Sequence, residues 1–231
     1  MEGLSPEEWQ AVRLSLAVAG QGVAFALPLA VLVAWLLART RFFGRGLLDA
    51  ATHLPLVLPP VVTGWLLLVL LGVRGPLGAP LEAWFGVRLV FTTEGAALAT
   101  AVMTFPLIVR AVRLSLEGLE PGLEDAARSL GAGAWDRFFS ITLPLISPGI
   151  LAGAVTAFAA GLGEFGAVIT FAANIPGETQ TLPLAIYAAT QMPGGEAVAA
   201  RLALCSLVLA LVGLLTAEVL ARRLQHWLGR G

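Results

Sequence analysis

The sequence predicts an all-α integral membrane protein with about five transmembrane helices and one charged, two-helix insertion. Three observations lead there. The chain is 58% hydrophobic, with a mean hydropathy of +0.86. Only 13% of its residues are charged, where soluble domains carry about 25%. Its apolar residues gather in runs of the roughly 17 to 25 positions that a helix needs to cross a bilayer.

The elements follow in order. Ser5-Pro6-Glu7-Glu8 reads as a helix start: a capping hydroxyl, proline in the first turn, and carboxylates at the positive end of the dipole. The apolar run behind it, residues 11–38, is too long for a signal core, and the acidic MEGLSPEEWQ before it lacks a positive n-region. It is read as a retained first span. A second span covers 54–72 and opens HLPLVLPPVVTG. Pro55, Pro59 and Pro60 remove helix hydrogen bonds, which leaves two readings, a kinked structural helix or a broken helix lining a cavity. The third span is 95–116, and a charged insertion fills 117–145. The fourth span is 146–171, with Gly149, Gly153, Ala157 and Gly161 on one face, where another helix can approach closely, within the chain or at a subunit interface. The fifth is 198–221. It contains the single cysteine, Cys205, which is read as a packing residue.

Arginine supplies the orientation, because basic residues collect on the cytoplasmic side. Arg39, Arg41, Arg45, Arg110, Arg113, Arg128, Arg137, Arg222, Arg223 and Arg230, ten of the fourteen basic residues, fall on one side of this arrangement. The other side holds Glu2, Glu7, Glu8, the Gly72–Thr93 loop and the segment 172–197, which has no basic residue. The expected topology is N-terminus out and C-terminus in, with 117–145 in the cytoplasm.

That insertion reads EPGLEDAARSLGAGAWDRFFSITLPL over 120–145. Leu123, Ala127 and Leu130 make one apolar stripe at helical spacing. Glu120, Glu124 and Asp125 sit where a helix dipole favours negative charge. Gly131 can take the left-handed conformation that ends a helix. A second helix is expected from about Ala134 to Thr142, with Pro144 breaking the chain before the fourth span. Trp135, Phe138 and Phe139 lie on one face of it. They either rest on the membrane surface or fill a groove in a cytoplasmic protein, and composition alone does not choose.

Several function classes are excluded. The only histidines are His53 and His226, with no H-E-x-x-H and no G-x-S-x-G pattern, so an intramembrane enzyme lacks its parts. With no lysine in the chain, a G-x-x-x-x-G-K phosphate loop cannot exist here. No pair of matching halves suggests a secondary transporter. A net charge of −1 gives no reason to expect nucleic acid. No metal or cofactor is expected.

Against this background one pattern stands out. Asp125-Ala126-Ala127, three residues, Gly131, nine residues, Ile141, one residue, then Leu143-Pro144 resembles the "EAA" loop of ABC-importer permeases, with aspartate where that consensus has glutamate and Glu124 just before it. The stretch GLGEFGAVITFAANIPGETQTLPLAIYAATQMPGGE, with HLPLVLPPVV, resembles the molybdate permease subfamily along nearly the whole chain. Sulfate permeases share the Gly-Glu-Phe-Gly segment, and tungstate is an oxyanion of the same shape and charge.

The resemblance implies that residues 1–231 form one ABC-transporter transmembrane domain and that Glu124, Asp125, Ala126, Ala127, Leu130, Gly131, Trp135, Phe138, Ile141, Leu143 and Pro144 dock on a separate ATPase subunit. It implies a homodimer with two ATP-binding cassette subunits, an external molybdate-binding protein, and surrounding membrane lipid. Gly163, Glu164, Phe165, Gly166, Pro59 and Pro60 are candidates for a gate or pathway. Glu164 has a structural alternative, accepting hydrogen bonds from a neighbouring helix or loop, because an ionised carboxylate would repel a dianion. Arg13 and Arg201 either draw an oxyanion inward or snorkel to headgroups.

Overall fold

The computed structural model describes residues 4–227. The side chains of Pro121, Glu124, Ala217, Glu218, Leu220 and 221–227 lie outside that description, so the sequence-based assignments to Glu2, Glu124, Arg222, Arg223, His226 and Arg230 are not taken further as side chains. The described chain is helical: α1 Pro6–Arg39, α2 Arg45–Val57, α3 Pro60–Leu71, α4 Gly78–Phe85, α5 Thr93–Glu117, α6 Pro121–Ser129, α7 Ala134–Arg137, α8 Leu143–Leu162, α9 Gly166–Phe171, α10 Leu182–Thr190 and α11 Glu196–Trp227. A π-helical turn, Phe138–Thr142, joins α7 to α8.

Helix α1 starts as its sequence dictates. The Ser5 hydroxyl accepts the Glu8 backbone N–H at 3.2 Å, and the Ser5 N–H donates to Glu8 Oε2 at 2.7 Å. Two of the unpaired donors of a helix end are thereby satisfied. Helices α1 and α5 run side by side in the same direction, since Gly22 meets Ala97 and Thr100 while Leu37 shares a core with Val112 and Leu116. Helix α8 runs the opposite way. Its Gly153 lies against Ile108 and Ala111, and its Gly161 against Thr100 and Ala19. The small-residue face of α8 therefore packs inside this chain, against α5 and α1, and is not kept for a subunit interface.

This arrangement gathers the ends of α1 and α5 and the start of α8 at one end of the bundle, around Leu37, Leu116, Leu119 and Ile146. Arg39, Arg41, Arg45, Arg110 and Arg113 belong to that end by sequence position. The opposite end is stitched together by polar contacts. Glu8 Oε1 accepts from Arg201 Nη2 at 2.9 Å and Nε at 3.2 Å, the Ser15 hydroxyl accepts the Leu182 N–H at 2.6 Å, and the Thr93 hydroxyl donates to the Glu178 carbonyl at 2.6 Å.

Among the described residues, four helices are long and apolar enough to cross a membrane: α1, α5, the continuous 134–162 helix, and α11 over Glu196–Thr216. The expected second span is not one helix. Its halves, α2 and α3, meet at 117°. Pro59 and Pro60 lack the N–H that would continue the ladder, and residues before proline avoid the helical region. Leu58 and Pro59 accordingly sit at ψ of 142° and 134°.

The fourth span also departs from expectation. It ends at Leu162, and Gly163–Phe165 interrupt the helix before the six-residue α9. At its other end Pro144 does not break the chain, because α7, the π turn and α8 run on as one 29-residue helix over Ala134–Leu162. The Leu143 N–H reaches back to the Phe138 carbonyl. That wider i→i+5 turn absorbs the donor Pro144 cannot supply.

The segment 172–197 is more than an outer loop. It contains α10, whose Leu182 and Ala185 pack with Ala11, Val12 and Leu202. Nine residues span only about 13 Å, too short to register as a crossing. Cys205 lies partly buried against this cluster, as a packing residue would.

Candidate functional site

Two groups of residues carry the candidate site, an exposed helical pair and a packed seam, and a polar contact lies between them. The first is the paired-helix segment 121–142. Helix α6 ends in a full left-handed cap: Gly131 has φ +86°, its N–H bonds to the Arg128 carbonyl at 3.0 Å, and the Ala132 N–H bonds to the Ala127 carbonyl at 3.0 Å. This is the Schellman arrangement, and it needs a residue without a Cβ penalty at that position. Arg137 Nη1 then donates to the Ala132 carbonyl at 2.6 Å, bracing the turn between the two helices.

The segment holds its apolar side chains outward. Leu130 is 89% exposed, Trp135 78% and Phe139 57%. Trp135 and Phe139 stack with ring centroids 6.1 Å apart, and Phe138 meets Phe139 edge-on at 5.2 Å. Asp125 and Ala126 are exposed, Ala127, Phe138, Ile141 and Leu143 half-buried, and Pro144 exposed. Asp125 pairs with Arg128 at 3.6 Å. Aromatic side chains held in register on a short rigid helix make a surface suited to a groove in another protein.

The second group is a seam where both broken spans meet. Of the candidate residues, Pro60 and Gly166, about a hundred positions apart in sequence, touch. A Cβ on Gly166 would lie 2.7 Å from Pro60 Cβ, and one on Gly64 would lie 2.6 Å from the Ala167 carbonyl oxygen. Glycine is required at both, because α3 and α9 touch backbone to backbone. Glu164 Oε1 accepts the Ala167 N–H at 2.9 Å. The carboxylate thus satisfies a backbone donor at the start of helix α9, within its own segment.

Phe165 lies against Tyr187 of α10, with ring centroids 5.3 Å apart. Sequence reasoning passed over Tyr187; its one signal was being the only tyrosine in the chain, inside a short apolar run. Arg201 is committed to Glu8, while Arg13 is exposed.

Between these regions Arg113 of α5 meets Asp49 of α2, a pairing that local sequence does not signal. Arg113 Nη1 lies 3.1 Å from Asp49 Oδ1 and 3.2 Å from Oδ2, and its Nε donates to Glu117 Oε1 at 2.8 Å. Beside it a cavity of about 580 Å³ opens between α2 and α5. His53 Nδ1 sits 2.8 Å from the Asp49 carbonyl, so this histidine is engaged locally. No cluster of metal-ligating side chains occurs among the described residues.

Long apolar helices, two spans broken where they touch, and an exposed helical pair at one end define a class: a multi-pass membrane subunit with the fold of ABC-transporter transmembrane chains. One such chain, in the crystal structure of a bacterial alginate ABC transporter in complex with an alginate pentasaccharide-bound periplasmic protein, superimposes with a TM-score of 0.75 at 21% identity. The match covers 95% of this chain and 80% of that one. A chain of an amino acid ABC transporter crystallised with histidines matches with a TM-score of 0.65 at 17% identity, over 94% of each.

The chain belongs to the family of binding-protein-dependent transport system inner membrane components, whose model matches residues 26–226. It is 57% identical to the molybdenum transport system permease protein ModB of Escherichia coli K12, over 98% of this chain and 99% of that one. It is 55% identical to the protein of the same name in Haemophilus influenzae, over 97% and 98%. The sulfate transport system permease protein CysT of Escherichia coli K12 is 42% identical over 78% of this chain and 65% of its own length.

Proposed function

We propose that this chain is the membrane-spanning permease of an ATP-driven importer for molybdate. The observation that carries the reading is identity above half, end to end, with two molybdenum permeases. ATP hydrolysis belongs to a separate subunit, which this chain contacts through the segment 120–145. In this reading that segment lies in the cytoplasm, the N-terminus is outside and the C-terminus inside. The crowding of arginines at the same end of the bundle supports this, because basic residues are retained on the cytoplasmic side.

Leu130, Trp135, Phe138 and Ile141 would enter a cleft on the ATPase subunit. Ala126 and Ala127 would allow close approach, Asp125 would keep negative charge at the start of α6, and Gly131 would hold the angle between the two helices. Leu143 and Pro144, inside the continuous helix, would carry movement directly into α8. The ATPase subunit opens and closes with nucleotide, and its differential contact with two packed arrangements of the bundle is what shifts the pathway between them. A segment of Glu164, Phe165 and Gly166 against Pro59 and Pro60 is a sensible gate, since irregular backbone within a membrane is tolerated only when buried in protein or lining water. Two copies of this chain would form the pathway between them, with two ATPase subunits at one end, a molybdate-binding protein at the other, and lipid around the rest.

The test is uptake of radiolabelled molybdate, tungstate and sulfate by cells lacking their own importers and supplied with this chain and its partners. Molybdate uptake that excess sulfate does not compete away is the expected result. A preference for sulfate would move the chain to the second reading, which its 42% identity with a sulfate permease supports.

A further inference from the structure

We infer that Arg113 is a positioning residue that links the ATPase-docking segment to the broken span, by tethering α2 to the last turns of α5. The inference rests on the proposed roles of segment 120–145 and of the Pro59–Pro60 break, and adds the connection between them.

Helix α2 is poorly held. Of its thirteen residues only Thr52 is buried, and Leu47, Leu54, Leu56 and Val57 are exposed. Besides the buried Thr52, three further side chains link it to the bundle. Arg45 Nε donates to the Leu37 carbonyl at 3.0 Å, Leu48 packs against the core formed by α1, α5 and α8, and Asp49 receives Arg113. Past Asp49 the helix runs beside open space. The cavity of about 580 Å³ has Ala50 and His53 on one wall and Arg110 and Leu114 on the other. An element with so few buried contacts and room at its flank is the kind that moves as a body while its neighbours stay packed.

The position of the pair gives that movement a source and a destination. Arg113 stands one turn before the end of α5, held to Glu117 at 2.8 Å. Only Gly118, Leu119 and Glu120 separate α5 from α6, and Leu119 is buried in the α1/α5/α8 core. A displacement of α6 therefore reaches Arg113 through a short, anchored connection. At the far end of α2, Leu58 and Pro59 lead directly into Pro60, which touches Gly166. One guanidinium nitrogen, Nη1, meets both Asp49 oxygens while Nε is held by Glu117, so the charge that binds α2 is itself fixed to the last turn of α5. The pair accordingly passes rotation of the α5 end to α2, and α2 passes it to the seam. Two packed arrangements joined by a rigid element are what coupling between distant sites requires.

The experiment uses the complete complex, with ATPase subunits and binding protein, reconstituted in proteoliposomes, and measures molybdate imported per ATP hydrolysed. Asp49→Asn and Arg113→Gln are each expected to lower this ratio about five- to tenfold, with ATPase activity retained. The double variant should be no worse than either single one, because both remove the same contact. Arg113→Lys should keep most of the ratio. If these variants lower uptake and hydrolysis in parallel, leaving the ratio at the wild-type value, the pair is merely structural and the inference falls. Should Arg113→Gln fail to assemble, Asp49→Asn alone decides, since it leaves α5 intact; a wild-type ratio there overturns the tether. Gly131→Pro separates the two levels of the argument. A loss of coupling in Gly131→Pro with none in Asp49→Asn defeats only the tether, whereas a wild-type ratio in Gly131→Pro defeats the reading of segment 120–145 itself.

Discussion

Glu8 illustrates how single residues hold this molecule together. It is 5% exposed, caps its own helix and receives Arg201 from α11. A carboxylate so placed is tolerable only because its lone pairs are filled. Removing the partner with Arg201→Ala should cost about 1–3 kcal/mol, read as a lower melting temperature of the purified protein in detergent. An unchanged melting temperature would show that solvent replaces Arg201 freely. Thr179 plays a similar part in the loop that carries the Ile175-Pro176-Gly177-Glu178 signature. It is fully buried, accepts the Ile175 N–H at 3.0 Å and donates to the Ala173 carbonyl at 3.2 Å. Thr179→Val keeps the shape and removes both bonds. A loss of about 1–3 kcal/mol is expected, with faster proteolysis at 173–181 as a second readout.

Among the elements, the touching helices α3 and α9 are the most sensitive to volume. With the Ala167 carbonyl 2.6 Å from where a Cβ would sit on Gly64, Gly64→Ala must push the helices apart. Overpacking of this kind costs about 1–3 kcal/mol. If the seam gates the pathway, the variant should reach the membrane in normal amount and import little molybdate. Normal uptake at normal abundance would remove the seam from the mechanism. The paired helices make a contrasting case, because their cap depends on conformation and leaves space around it: nothing lies near a Cβ on Gly131, yet its φ is +86°. Gly131→Ala is therefore expected to be mild, about 1 kcal/mol. Gly131→Pro, whose ring fixes φ near −65°, should uncouple hydrolysis from transport, measured as ATPase activity that no longer responds to the binding protein.

The whole molecule shows a bundle that is complete on one side and open on another. Helices α1, α5 and α8 bury a shared core, while α2, α3 and α11 leave long apolar faces outward, such as Val61, Trp65 and Val69 on α3. Lipid covers such faces at no hydrophobic cost, so exposure by itself does not mark an interface. What argues for a second copy is function: one chain offers one docking segment, and the proposed assembly has two ATPase subunits. Native mass measurement of the detergent-extracted complex should find two permease chains. A complex containing one copy would exclude the shared pathway.

Much of this was legible in the residues. The long spans α1, α5 and α11 follow from apolar length, because a bilayer demands the same thickness wherever the chain crosses. The turn at Gly131 follows from local stereochemistry, and the docking segment from motif and spacing. Local rules failed where the outcome depends on partners distant in sequence. Hydropathy joined 54–72 and 146–171 into single spans, since breaks of two or three residues do not lower an average, and only packing shows that the two breaks meet at Pro60 and Gly166. It read Pro144 as a stop, where a wider turn let the helix continue. Arg113 counted only among the arginines that set the orientation and Asp49, 64 positions away, carried no signal, until tertiary structure set them 3.1 Å apart. The sequence by itself determined that this chain is a membrane permease with a charged helical pair between its spans, because solvent and local geometry act on neighbouring residues. That Pro60 meets Gly166 and Asp49 meets Arg113 was decided by tertiary structure alone, because contacts between helices depend on how whole elements pack.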